Sequence, residues 1–275
     1  MTNANPLSTK TTLLNCMKHK VKHVVLTRKA VLFVLLVCLA TFLANSKLAH
    51  IDNRFLNMWD LIFDMLYHPY YQLFLFLLFF LFVLSDICDD RSITLYVLLR
   101  LNKKSMWLLA KMFLILLIST LYTLVYLCII TLISLLLYGY SIHWSPGSSN
   151  LYHGELIGHI QPVTGFILLA IRYVLSIWFL SILYLFVYAS ADGYRIVKAV
   201  SVTVMLLVIN HLFAYRFFVS YVPFLYIHNG YLVTLRLNEN GFQSAMVLNA
   251  ATVSPIVLML LVLWMRKSKL EFGGS

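Results

Sequence analysis

Charge is what this chain has least of. Only 11% of its 275 residues are Asp, Glu, Lys or Arg, whereas 61% are hydrophobic. A chain with so little polar surface cannot cover its apolar side chains as a globule in water, so lipid must be its solvent. Cysteine is scarce as well: Cys16, Cys38, Cys88 and Cys128 fall near cytoplasmic segments or inside apolar runs, with no metal-type spacing. That argues against a disulfide framework and against a cysteine zinc site. There is no G-x-x-x-x-G-K-[ST] loop whose backbone amides and lysine would cradle a nucleotide's phosphates. The outer His143, His153, Glu155 and His159 match neither H-E-x-x-H nor the deaminase signature, so no metal site is expected. The scattered Asp and Glu supply no hydrolase site, and no internal repeat is visible, which weighs against an inverted-repeat transporter. No cleavable signal peptide is evident, since the first apolar run begins near Ala30 without a small-residue cleavage site.

What is present is a series of apolar runs. A spanning helix needs roughly 20 mostly apolar residues, because no water in the bilayer core can satisfy an exposed amide. The runs Ala30 to Ser46, Tyr70 to Ser85, Trp107 to Tyr138, Pro162 to Ser190, Ile196 to Tyr215 and Ala245 to Met265 are read as six spans. The expected fold is therefore an all-α integral membrane protein. Residues 1–29 form a cytoplasmic N-terminal segment, 30–265 the six-span domain, and 266–275 a cytoplasmic tail whose last residues look like an appended linker. With the N-terminus inside, Lys and Arg gather on the inner side, including Lys18, Lys20, Lys22, Arg28, Lys29, Arg91, Lys103, Lys104, Lys111, Arg195 and Lys198. The outside keeps Lys47, Arg54, Arg216 and Arg236, so both termini are expected in the cytoplasm. The net charge of +11 thus reflects topology, and nucleic acid is not an expected partner.

Between the spans, Leu13, Leu14, Met17, Val21, Val24 and Val25 share a helical stripe, which predicts an interfacial helix over Thr11 to Arg28. Arg54 to His68 places Asp60, Asp64 and His68 on one helix face. The expectation there is a helix on the outer membrane surface, anchored by Trp and Tyr, with selection of a cationic substrate as the alternative. Ser141 to Gln161 is a turn-rich outer loop around Ser145-Pro146-Gly147-Ser148. Arg216 to Gln243, broken by Pro223, Gly230 and Gly241, is expected to form short re-entrant or interfacial helices before the sixth span.

The inner loop Asp86 to Lys111 opens on Asp89 and Asp90, continues through Arg91-Ser92-Ile93-Thr94-Leu95-Tyr96-Val97-Leu98-Leu99, turns at Leu101-Asn102 and reaches a basic cluster, Lys103 and Lys104. A short apolar helix with a charged rim suits a partner interface. This pattern resembles that of the type-2 class of ATP-binding-cassette (ABC) permeases. Asp89, Arg91, Ser92, Thr94, Leu95, Leu98, Leu99, Lys103 and Lys111 match the family's motif. Ile93 stands where Gly is usual, Asn102 where Pro is common, and Ala110 replaces the Gly before Lys111.

The resemblance covers nearly the whole chain, and it implies that Ser92 to Leu99 is a coupling helix docked on a separate ATPase subunit. Together with Asp89, Asp90, Arg91 and Lys103, it would convert closure of that subunit into movement of the spans. Two permease halves, either identical or related copies, would enclose the pathway above two ATPase subunits that hold ATP and Mg. This chain is then no enzyme itself. Candidate pathway residues are polar positions within spans, where exposure to lipid is costly: Asn45, Ser119, Thr123, Tyr126, Ser134, Tyr138, Asn210 and His211. Arg172, the one clear charge inside a span, either snorkels outward or pairs within the bundle. The expected cargo is an amphipathic peptide, antimicrobial or toxic, or an antibiotic, with a polymer or lipid-linked glycan as an alternative. A channel or secondary transporter working without ATP is the rival class. It calls for acidic residues or broken helices at mid-membrane, whereas every Asp and Glu is read here in a loop or at a span end.

Overall fold

The computed structural model describes residues 28–52, 56–68, 70–89, 104–148, 161–190 and 194–214, together with 253–254, 256–263 and 265. Every regular element among them is helical: α1 Arg28–Asp52, α2 Met58–Tyr67, a π-helical stretch Tyr71–Leu77 running into α3 Leu78–Asp89, α4 Lys104–Tyr138, α5 Pro162–Ser190 and α6 Arg195–Ala214. Residues 256–263 are also helical. Among the described residues, three helices are long and apolar enough to cross a membrane: Arg28–His50, Lys111–Tyr138 and Pro162–Ser190. The chain is accordingly an all-helical membrane protein. The runs predicted for the first, third and fourth spans coincide with these helices. The N-terminal interfacial helix, the coupling segment 90–103 and the outer stretch 216–243 lie outside the described residues.

The sequence explains which helix faces meet. On α1 the buried positions are Phe33, Val37, Thr41, Ala44 and Leu48, spaced by three or four, while Val31, Leu35, Leu39 and Phe42 are exposed. Helical periodicity puts the first set on one stripe, and exposed apolar side chains on the other faces are what a lipid solvent requires. On α4, Lys111, Ile115, Ile118, Ser119, Tyr122, Tyr126, Ile130 and Ser134 form the matching stripe. Gly139, in the left-handed region with φ +71°, closes α4 by donating its N–H to the Leu135 carbonyl at 2.9 Å, a conformation a side chain would penalise.

The element furthest from expectation is α2. Instead of lying on an outer surface, it is enclosed: Leu61, Ile62, Met65 and Leu66 have no exposed area, and Met58, Trp59, Asp60 and Phe63 almost none. The physical reason is composition, since Met58, Trp59, Leu61, Ile62, Phe63, Met65 and Leu66 surround the helix with apolar side chains, and a helix apolar all round belongs in a core. Asp60 and Asp64 therefore sit on a packed helix and not in a solvated loop.

Candidate functional site

The site is built around the two ends of α2. Its start is fixed locally by a capping box: Asn57 accepts from the Trp59 amide at 2.9 Å, and Asp60 accepts from the Asn57 amide at 2.8 Å. Such reciprocal bonds satisfy amides that a helix start leaves without intrahelical partners. The same residues hold the turn that follows α4. Asn57 Nδ2 donates to the His143 carbonyl at 2.8 Å, and Trp59 Nε1 donates to the Ser141 carbonyl at 2.8 Å. Ser148 Oγ donates to Asp60 Oδ1 at 2.5 Å. Ser145 and Ser148 close the predicted turn through a backbone bond of 3.2 Å, so the Pro146-Gly147 turn is latched onto α2.

The other end of α2 stops inside the bundle, at His68-Pro69. A proline provides no amide and disfavours helical geometry in the residue before it, and His68 is extended, with φ −72° and ψ 119°. Carbonyls at an enclosed helix end need donors from elsewhere, because water cannot reach them. Three side chains supply them. Tyr126 of α4 donates to the Met65 carbonyl at 3.3 Å, Tyr173 of α5 donates to the Leu66 carbonyl at 2.6 Å, and Gln72 Nε2 also reaches the Leu66 carbonyl. The His68 amide takes the Asp64 carbonyl at 2.9 Å. In the π-helical stretch, the Phe76 carbonyl accepts from Tyr122 at 2.8 Å. The Phe76 ring lies 4.6 Å from that of Tyr126 and 5.4 Å from that of Tyr173, so aromatic packing aims the hydroxyls that seal the break.

The chain thus runs from the level of the 141–148 turn to the Tyr126 level in α2, and from Tyr70 it continues to the far end of α4, where Lys111 meets Cys88. Fifteen residues of α4 separate Lys111 from Tyr126, roughly 22 Å at 1.5 Å per residue, which puts the break deep in the bundle.

Around the break sit Asp64, His68 and, from α1, Lys47. Burial pushes the Asp64 carboxyl above its ordinary value, against the charges of Lys47 and His68. The His68 imidazole is pushed down, first by burial and then by Lys47, with Asp64 opposing. Two atoms here, Asp64 Oδ2 and His68 Nδ1, are shielded from solvent and make no hydrogen bond.

At the opposite end of the bundle, Lys111 is buried, donates to the Cys88 carbonyl at 2.9 Å, and stands 5.1 Å from the Tyr188 ring centroid. Lys29 pairs with Asp86 at 2.5 Å. Four helices are tied together there, α1, α3, α4 and α5, at the two stems of the 90–103 loop.

The other residues singled out from the sequence fall as follows. Tyr138 donates to Asn45 Oδ1 at 2.6 Å, bringing two of them together. Ser119 shares a 2.8 Å bond with Ser181, and Thr123 bonds back to the Ser119 carbonyl at 2.9 Å. Ser134 is buried with no hydrogen bond. Arg172 is 1% exposed, enclosed by the surrounding helices. Asn210 and His211 lie on α6 and Asp89 ends α3, their side chains outside the described part. Asp90, Arg91, Ser92, Thr94, Leu95, Leu98, Leu99 and Lys103 are outside the described residues. Sequence reasoning passed over Asn57, Gln72, Tyr122 and Tyr173; Asn57 with Asp60 is a legible capping pattern, and Pro69 was a legible break. Compared with protein families, curated proteins and solved structures, the chain matches none.

Proposed function

We propose that this chain is the membrane permease subunit of an ATP-driven ABC exporter in a bacterial cell membrane, with six spans and both termini in the cytoplasm. It pairs with a second permease copy, identical or related, and is driven by two separate ATPase subunits. The cargo is an amphipathic peptide or an antibiotic. The observation that carries this reading is the tie at the stems of the 90–103 loop. Lys111 bonds to Cys88 and lies over Tyr188, while Lys29 pairs with Asp86. A loop whose two stems are joined to four helices is suited to pass a push at its tip into the whole bundle, and hydrogen bonds from a buried cation are among the stronger ones available.

Co-purification tests it. The chain is expected to bring down an ATPase subunit, and Leu95→Glu or Leu98→Glu is expected to abolish that association or ATP-driven transport while leaving membrane insertion intact. Transport at full rate by the reconstituted single chain, with no ATP, would refute it. That last outcome is what the second reading, an ion-coupled carrier, requires. The helix break beside Asp64 and His68 favours that reading, because such carriers place ion sites at interrupted helices.

A further inference from the structure

The segment from the break to the 90–103 loop keeps a four-residue repeat. Gln72, Phe76, Phe80, Leu84 and Cys88 are buried, while Tyr70, Phe74, Leu78, Phe82 and Asp86 are exposed. A continuous α-helix cannot hold that repeat on one face. From Gln72 to Cys88 it would turn about 1,600°, roughly 160° past a whole number of turns, which carries Cys88 to the side opposite Gln72. The π-helical stretch Tyr71–Leu77 removes the excess. Its bonds run from i to i+5 where those of an α-helix run from i to i+4, so it takes up one residue, about 100° of turn. The remainder, about 60°, lies within the width of a packed helix face. The stretch therefore holds one surplus residue, and without it one end of the segment loses its seat.

The two ends are held differently. α2 is fixed by stiff aromatic partners: Trp59 bonds to the Ser141 carbonyl, and Tyr126 and Tyr173 bond to the Met65 and Leu66 carbonyls. α3 is held at its far end through lysine stems, Lys111 on the Cys88 carbonyl and Lys29 on Asp86. Such flexible four-carbon stems follow a turning helix. Between the two ends, Tyr122 of α4 fastens the stretch itself. Its buried hydroxyl donates to the Phe76 carbonyl at 2.8 Å, and its ring stacks on Phe33 at 4.3 Å. Turning α3 meets little opposition, because the exposed Leu78 and Phe82 are as apolar as the buried Phe80 and Leu84. Lipid accepts either pair, since it gives helices no hydrophobic drive to associate.

We infer that Tyr71–Leu77 is a rotary joint, whose surplus residue, latched by Tyr122, lets α3 turn by about 100° while α2 stays clamped. Release of the Phe76 carbonyl from Tyr122 lets the stretch close into α-helical turns, and the rotation passes along α3 to the 90–103 loop. The joint works in both directions, so a push on the loop turns α3 against the clamped α2. It rests on helix register and not on the energy source, so its failure leaves the ATP-coupled reading untouched, and failure to find an ATPase partner leaves the joint untouched.

The experiment measures distances by double electron–electron resonance on the full chain in lipid nanodiscs, with spin labels carried on unnatural amino acids at Phe82 and Leu136, both exposed. Tyr122→Phe keeps the ring and removes the latch. It should bring up a second Phe82–Leu136 distance, populated about three- to tenfold more than in the wild type, the weight of one hydrogen bond. A pair at Tyr70 and Leu136 should show no second distance, because Tyr70 precedes the joint on the clamped side. A Phe82–Leu136 distribution unchanged by Tyr122→Phe, or equal movement of both pairs, overturns the joint. Should Tyr122→Phe fail to assemble, deletion of Leu75 decides. A surplus residue can be spared, so this deletion is expected to assemble and to keep the wild-type Phe82–Leu136 distance, where deletion of Val83 from α3 prevents assembly. A Leu75 deletion that fails to assemble, or that moves the distance, overturns the joint, as does a Val83 deletion tolerated equally well.

Discussion

Replacing Tyr173 by phenylalanine removes one oxygen from the foot of α2 and little else, because the ring keeps its edge contact with Phe76 at 5.4 Å and its stacking on Tyr126 at 6.3 Å. The lost bond is the 2.6 Å donation to the Leu66 carbonyl. That carbonyl still has Gln72 as a second donor, so the single variant forfeits one bond without orphaning an acceptor. The expected loss is about 0.5–1.5 kcal/mol, at the lower end if it follows the average of about 0.6 kcal/mol for hydrogen bonds between membrane helices. Gln72→Leu alone should cost a similar amount. The double variant Tyr173→Phe/Gln72→Leu leaves the carbonyl buried with no donor, which adds a desolvation penalty of about 1–3 kcal/mol. The two substitutions should therefore be more than additive, with a coupling of about 1 kcal/mol. Tyr126→Phe is the internal control: its bond is 3.3 Å long, and its loss should be the smallest of the set. Unfolding by SDS titration in mixed micelles, or by steric trapping in bicelles, measures all four. Additive losses, or a double variant as stable as the wild type, would refute the claim that side-chain donors seal this break.

Three further outcomes are expected. Asp60→Ala removes the acceptors for both the Asn57 amide and Ser148; it should cost about 1–2 kcal/mol as a lost helix cap and free the 141–148 turn, read as faster limited proteolysis there. Lys111→Met should lose about 1.5–3 kcal/mol, the range for hydrogen bonds to charged groups, measured as a lower thermal midpoint, with Lys111→Arg retaining part of it. Asp64→Asn should be more stable than the wild type at neutral and alkaline pH. The folded-state affinity for a proton is raised by burial, so ionisation costs stability above the ordinary carboxylate range, and that cost vanishes as pH falls and the carboxyl is protonated in both states. A stability gap that widened on acidification would contradict this sign.

Hydropathy and charge, which are additive properties of the chain, were enough to determine a membrane protein built of helices and to place three of them. Length and apolarity decide whether a helix can cross lipid, and both are read residue by residue along Ala30 to Ser46, Trp107 to Tyr138 and Pro162 to Ser190. The Ser145 to Ser148 turn was legible for the same reason, since Pro146-Gly147 acts locally. Tertiary structure alone decided where α2 goes. Its ten residues are too few to span, and the Asp60, Asp64, His68 face reads equally well as a wet surface. Enclosure follows from partners distant in sequence: Ser148 on Asp60, Tyr126 on Met65 and Tyr173 on Leu66. A broken helix survives in lipid only if donors from other helices reach its carbonyls, and no local pattern announces which tyrosine will do so. The low charge content excluded water as the solvent; the few charges that remain, Asp64, Lys111 and Arg172, acquired meaning only when packing enclosed or half-enclosed them.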